Sequence, residues 1–436
     1  MTATANLSAP SLQQLAPHVT SKIKDGELAK AQMGLLGAGL VLIGIAWATG
    51  GSSFYFSYLV GYMGLLGICL GALFFTMLHH ITRAGWSAPL LRLAENTMWV
   101  LPFMLLLFVP ILVGFDTLYE HWAKADLTKD AVLAGKQVWL NKPFFFVRVA
   151  IYFAIWIGLG WFFRSNSIKQ DEKGDPVISL KLARFAAPGM LLFALSLTFA
   201  SFDWIMSLDP HWFSTIFGLT YFAGAFMGFL AFIILMARWL GAQGYLRDAV
   251  TVEHYHDLGK LMFTFMVFWT YTNFSQYMLI WYANLPEETH WFWVRAHGGW
   301  GAVGTILVVG HFFVPFAFLM SRHVKRNRIA LSAGAIAMLV IHCIDMQYLI
   351  LPTADHGHAA AGHGEAAHGA GEAAAGVSGF SHQFGEYLHQ VHWADFGCFL
   401  GMLAIVTALT ILNVRKTNLI AMRDPRLAEG LHFQNQ

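Results

Sequence analysis

A chain of 436 residues that is 57% hydrophobic, 15% aromatic and only 12% charged carries more apolar surface than a soluble domain can cover. Its mean hydropathy of +0.54 excludes a water-soluble enzyme and defines an integral membrane protein. With a formal net charge of +2, no nucleic-acid partner is expected.

Residues 1–30 are polar and show no removable leader, so the first apolar run, 31–49, is expected to act as an uncleaved anchor. Nine further runs long enough to cross the hydrocarbon as helices follow at 54–78, 98–117, 144–163, 185–208, 214–237, 260–283, 299–320, 329–351 and 394–414. GLLGAG at 34–39 has glycine spacing but lies inside the first span, where small residues serve helix packing. SLDPHW at 207–212 has Asp-Pro turn chemistry and predicts the tight connection between the fifth and sixth spans. The largest connection, 352–393, is mostly Ala, Gly and His; the irregular spacing of the histidines in 354–376 fits a flexible loop better than a metal site.

Lys and Arg set the orientation. One set of alternate connections holds nearly all of them, while the other holds only Lys124, Lys129, Lys136, Lys142 and Arg295. By the positive-inside rule both termini are cytoplasmic, which agrees with an even number of spans. The expected organisation is a cytoplasmic segment 1–30, helices 1–9 over 31–351, a periplasmic loop 352–393, helix 10 over 394–414 and a cytoplasmic tail 415–436. Cys69, Cys343 and Cys398 are scattered, with no pairing that would hold a cluster or a covalent haem.

A weak internal repeat subdivides the spans. LYEHW at 118–122 followed by FFFVR at 144–148 contains the elements that EETHWFWVR compresses into 287–295. After each copy an aspartate stands near the outer end of the next outward helix, Asp203 in ASFDW and Asp345 in IHCIDMQ. The fold expected is therefore all-α, with about ten transmembrane helices in two parallel four-helix bundles, 54–208 and 214–351, and two peripheral helices.

These aspartates raise the question of function. Both lie five or six residues inside their helix ends, roughly 8–9 Å below one surface, with Arg148 at similar depth and Asp116 capping the third span above them. An ionisable group at that depth faces inward and is paired or hydrated, so a structural ion pair between Arg148 and an aspartate competes with a proton-carrying role. His342 lies one turn below Asp345 on the same face, and His311 lies near the middle of the adjacent span. His79, His80 and EHYHD at 253–257 stand at the inner end. A ladder of titratable groups is what a proton relay requires, whereas a lone buried histidine is simply a hydrogen-bonding residue. Tyr271, Asn273, Ser275 and Gln276 concentrate polar groups in span seven and either bond between helices or line a hydrated cavity.

The segments FFTMLHHITRAGW, FASFDWIMSLDPHWFSTIFG and FSQYMLIWYANLPEE closely resemble the F-subunit family of bacterial alternative complex III, polysulfide-reductase-like membrane proteins of the bacterial inner membrane. The resemblance covers about 30–350 and span ten, and does not extend to the His-rich loop or the polar termini. It implies ten helices around two four-helix bundles, in a respiratory quinol oxidoreductase whose haem-c and iron–sulfur groups sit in periplasmic partner subunits. It further implies a homologous sister membrane subunit as the better candidate for the quinol site, and an F subunit with a proton-conducting part.

The resulting expectation is a membrane subunit of a quinol:electron-acceptor oxidoreductase. It would hold no redox centre, bind at most quinone, and contribute a proton pathway or a quinone-side scaffold. The polar interior and proton pathway would comprise Asp203, Asp345, His342, His311, Arg148 and Asp116, with Asp203 and Asp345 expected as the proton-carrying groups. Two other classes remain open: a secondary transporter built on parallel repeats, and a haem-b cytochrome with His311 and His342 as axial ligands. The helical rise puts those two histidines about 18 and 13 Å from the outer surface, which counts against the second.

Overall fold

The computed structural model describes residues 26–126, 128–246, 249–359 and 380–434, and over these it is 84% helical with no strand. The polar N-terminal segment and most of the His-rich loop lie outside the described residues. Eight helical runs are long and apolar enough to cross a membrane. The first, Gly26–Thr82, is two crossings rather than one. Its parts α1 (Gly26–Gly50) and α2 (Phe54–Thr82) meet at a turn over Gly51–Ser53, where Gly51 takes φ +52°, a conformation that costs glycine little.

The remaining spanning helices are α3 (Ala88–Val113), α4 (Lys142–Lys173), α5 (Pro176–Trp204), α6 (Phe217–Ala242), α7 (Val252–Ala283), α8 (Gly299–Met320), α9 (Arg328–Ala359) and α10 (Trp393–Lys416). The neighbours of α10 prove the turn at 51–53. Arg415 donates to Gln32 and Gly401 lies against Gly39, so α1 runs antiparallel to α10. Ser57 donates to Asp395 and Gly61 backs onto Cys398, so α2 runs parallel to it. The seventh crossing, α7, is less apolar than the eight, but its 32 residues reach about 48 Å alongside α6. We call the end holding Gly51–Ser53 and Ser207–Trp212 upper, and the opposite end lower.

Two groups of four helices result. α3, α4 and α5 pack on or beside α2, whereas α7 and α9 pack on α6 and α8 completes the group against α7 and α9. The central contact is α2 on α6, and glycines make it close: a Cβ on Gly67 would stand 2.9 Å from the Ala225 Cβ, and one on Gly71 would stand 2.6 Å from that of Phe229. In the glycine run of α1 only Gly39 meets a neighbouring helix, with Gly401 O 2.6 Å from a hypothetical Cβ; Gly34 and Gly37 face open space. Close backbone approach through small residues is how helices associate where lipid supplies no hydrophobic drive between them.

Two boundaries differ from expectation, each for a physical reason. The third span begins at Ala88 rather than 98, because APLLRLAENTM buries Arg92 and Glu95 although their charge makes the segment look like a loop. The ninth helix continues from 351 to Ala359, and Phe380–Gln390 is a further helix. Residues 352–393 are therefore partly helical at both edges.

Candidate functional site

The first bundle resolves Asp203 into a buried ion pair. Arg148 donates from Nε to Asp203 Oδ2 at 2.6 Å and from Nη2 to Oδ1 at 2.9 Å, a bidentate geometry. Tyr152, one turn below Arg148, donates to Oδ2 at 2.6 Å, and Trp139 Nε1 donates to Oδ1 at 2.8 Å. The remaining guanidinium nitrogen, Nη1, bonds the Trp139 carbonyl, and the cation lies over the Trp139 and Phe144 rings. Every polar atom of this pair is engaged. Tyr152 is legible as Arg148's i+4 neighbour, but Trp139 reaches the site from a separate loop.

The second bundle is built differently. Arg295, the repeat's counterpart of Arg148, does not reach Asp345. It donates to the carbonyls of Tyr348, Leu349 and Trp291, with its guanidinium 3.6 Å above the Trp291 ring. Asp345 is buried, and its carboxylate accepts from Trp269 Nε1 at 3.2 Å. The same indole stacks on His311, with ring centroids 3.6 Å apart.

His311 sits in a π-helical turn, Val308–Phe313, inside α8. Pro315 lacks the N–H that a regular helix would use there, and single π turns recur at functional sites. His311 Nε2 faces Met227 Sδ at 3.1 Å, while His342 Nε2 faces Gly64 O at 3.3 Å. Met227 and Gly228 are consecutive on α6, and a Cβ on Gly228 would stand 3.1 Å from His342, so both rings flank one turn of that helix. The two Nε2 atoms have separate partners and do not converge on a common centre. Both Nδ1 atoms are buried with no hydrogen-bond partner among the described residues. One turn up, Gly224 leaves room for Asp345 and Trp269: its Cβ would lie 3.4 Å from each.

Above this cluster, a cavity of about 230 Å³ opens on the upper surface between the bundles, lined by His121, Asp209, His211, His290, Arg295 and Pro352 among others. Pro352 is seven residues past Asp345 on α9, roughly 10 Å along the axis. Beside the cavity, Asp130 caps the short helix Ala131–Lys136 and meets His211 Nε2 at 2.6 Å. The backbone N–H of Leu133 and then His211 hold the Asp130 carboxyl below its ordinary range.

Two expectations are corrected. Asp116 is outside the buried layer: its side chain is 59% exposed and pairs with Lys142, because the third span ends at Val113 and Asp116 sits on a separate short helix, Phe115–Leu118. Tyr271, Asn273, Ser275 and Gln276 do not line an interior cavity. Tyr271 is 64% exposed, the other three are half-buried, and Asn273 and Ser275 bond back to the carbonyls of Trp269 and Tyr271. Asn273 and Ser275 are thus satisfied by their own helix and need no hydrated cavity.

Three groups escaped the sequence reading. Asp395, buried at the upper start of α10, accepts from Ser57. Trp269 carries no charge and gives no hydropathy signal. Arg92, Glu95, Arg164 and Asp171 form a charged cluster in the lower half of the first bundle, with Arg92 Nη2 on Asp171 at 2.6 Å and Nη1 3.3 Å from Glu95. Also at the lower end, His79 bonds Ser87 and faces Asp424, and His80 stacks on Phe163. Among the described residues no three His, Cys, Asp or Glu side chains are grouped to hold a metal ion. No family model matches the chain, and no curated protein matches it.

Proposed function

We propose that this chain is a multi-pass subunit of a respiratory quinol:electron-acceptor oxidoreductase of the alternative complex III type. It lies in a bacterial inner membrane with both termini cytoplasmic, and it carries protons through its second bundle. Electrons pass through haem c and iron–sulfur groups of partner subunits; this chain binds no redox centre, and a quinone is its only candidate small ligand. The resemblance of three long segments supports the assignment to that complex.

The proton role rests on one observation: an uncompensated carboxylate, Asp345, beside two histidines whose Nδ1 atoms are unpartnered, His342 on its own helix and His311 in a π turn. The upper cavity opens at Pro352, roughly 10 Å above Asp345 along α9. A proton taken up by Asp345 passes to a ring nitrogen of His342, one turn below, while the opposite ring nitrogen releases one, so charge is conserved at each exchange. Trp269 donates only and cannot relay; it fixes the carboxylate and packs His311 in place. In this reading the Arg148–Asp203 pair is the first bundle's scaffold.

Affinity purification of the tagged chain, with haem staining and subunit identification, tests the assignment. Haem and cluster proteins should co-purify, whereas a chain isolated alone would favour the transporter reading. Reconstituted vesicles containing a pH-sensitive dye test the path. The Asp345→Asn complex should oxidise quinol when uncoupled yet move fewer protons per electron, and an unchanged yield removes Asp345 from any path.

A further inference from the structure

The lower cluster of the first bundle has no part in that path, yet it contains a second fully buried carboxylate, Glu95. Glu95 is fully inaccessible to solvent, and neither of its oxygens has a partner at good hydrogen-bond geometry, the Ser167 side chain being the hydrogen-bonding group that approaches it. Its ionic neighbour, Arg92 Nη1, stands at 3.3 Å, while Nη2 of the same guanidinium makes the shorter contact, 2.6 Å, with Asp171. The second cation, Arg164, is turned away from the carboxylate, donating to Asn96 Oδ1 at 2.7 Å and to the Glu95 main-chain carbonyl at 3.1 Å. Ser167 of α4 is the remaining polar side chain beside it.

Other packed elements add no closer charge. Asn413 of α10 and Thr417 just past its end are neutral and bond to Asn96. On α2, His79 and His80 engage Ser87, Asp424 and Phe163; Arg238 of α6 neighbours Tyr255; Glu429 of the helix Leu427–Leu431 lies against Gly85. Asp171, by contrast, is partly open and accepts from the Arg423 backbone, placing it at the lower rim.

A fully buried carboxylate that shares its one guanidinium with a second, closer carboxylate is poorly compensated for the loss of water, and protonation relieves that cost. We propose that Glu95 is a proton-binding site of the first bundle, exchanging with the lower face past Asp171 as Arg92 shifts its contact between the two carboxylates. Protonation turns the Glu95 carboxylate into a neutral carboxyl and leaves Arg92 paired with Asp171. Deprotonation returns the proton to the lower side and lets Arg92 bridge both.

Infrared difference spectroscopy on the full chain in detergent tests this without reference to quinol oxidation. Across a pH titration, wild type should show a protonated-carboxyl band that shifts in deuterated water and declines as pH rises. Glu95→Gln should remove it and Glu95→Asp should move it, while Asp171→Asn should keep it with an altered pH dependence. If Glu95→Gln does not assemble, the shifted band of Glu95→Asp carries the same information. Two results overturn the proposal: a carboxyl region that neither substitution changes, or a Glu95 band that does not respond to pH.

Discussion

Asp203 and Asp345 occupy the same place in a repeated sequence pattern but have opposite surroundings. Asp203 is held by a bidentate guanidinium, a phenol and an indole, so removing its charge strands Arg148 in a buried site. Breaking one partner of such a pair costs about 3–5 kcal/mol. We expect Asp203→Asn to lower the thermal midpoint of the purified chain sharply, and Arg148→Met combined with Asp203→Leu to recover part of that loss. Asp345→Asn removes a charge that no cation contacts and keeps an acceptor for Trp269, so about 1 kcal/mol or less is expected. Equal losses for the two asparagine variants would mean that the pairing differs from that described.

At the scale of elements, packing distances separate glycines that look alike in sequence. Gly39→Ala would push a methyl group into the Gly401 carbonyl and should cost about 1–3 kcal/mol, since neither backbone can yield cheaply. Gly34→Ala and Gly37→Ala meet open space and should be neutral or gain up to about 1 kcal/mol from helix propensity. Thermal melts of the three variants would show this ordering.

The upper cap makes a pH prediction. The folded-state pKa of Asp130 is depressed by the Leu133 N–H and His211, so its contribution is complete above the unfolded carboxylate value of about 4 and is lost as pH falls through the lower folded value. Protection of the Val132 and Leu133 amides, measured against their intrinsic exchange rates, should therefore fall in acid in wild type, whereas in Asp130→Ala it should already be low at neutral pH.

For the whole molecule, orientation is the claim on which the upper and lower assignments become periplasmic and cytoplasmic. A reporter active only outside the cytoplasm should be active when fused at residue 365 and silent when fused at 436. The reverse would turn both proposed proton-exchange sites to the opposite compartments.

Composition and apolar run length were enough for the all-helical membrane class, because burial in hydrocarbon is a demand that each segment meets with its own side chains, whereas the division at 54–208 and 214–351 was read from the internal repeat. They also placed Asp203, Asp345, His311 and His342 in the interior. They failed at Glu95 and Arg92, since a hydropathy reading assigns charged residues to loops, and at Asp116, whose helix ends one turn too soon. Only the tertiary structure decided which charges are neutralised: Arg148 reaches its aspartate, Arg295 spends its donors on carbonyls, and Glu95 shares Arg92 with Asp171. Whether a buried carboxylate anchors the fold or holds an exchangeable proton depends on the atoms within about 4 Å of it, and those come from helices far apart in the chain.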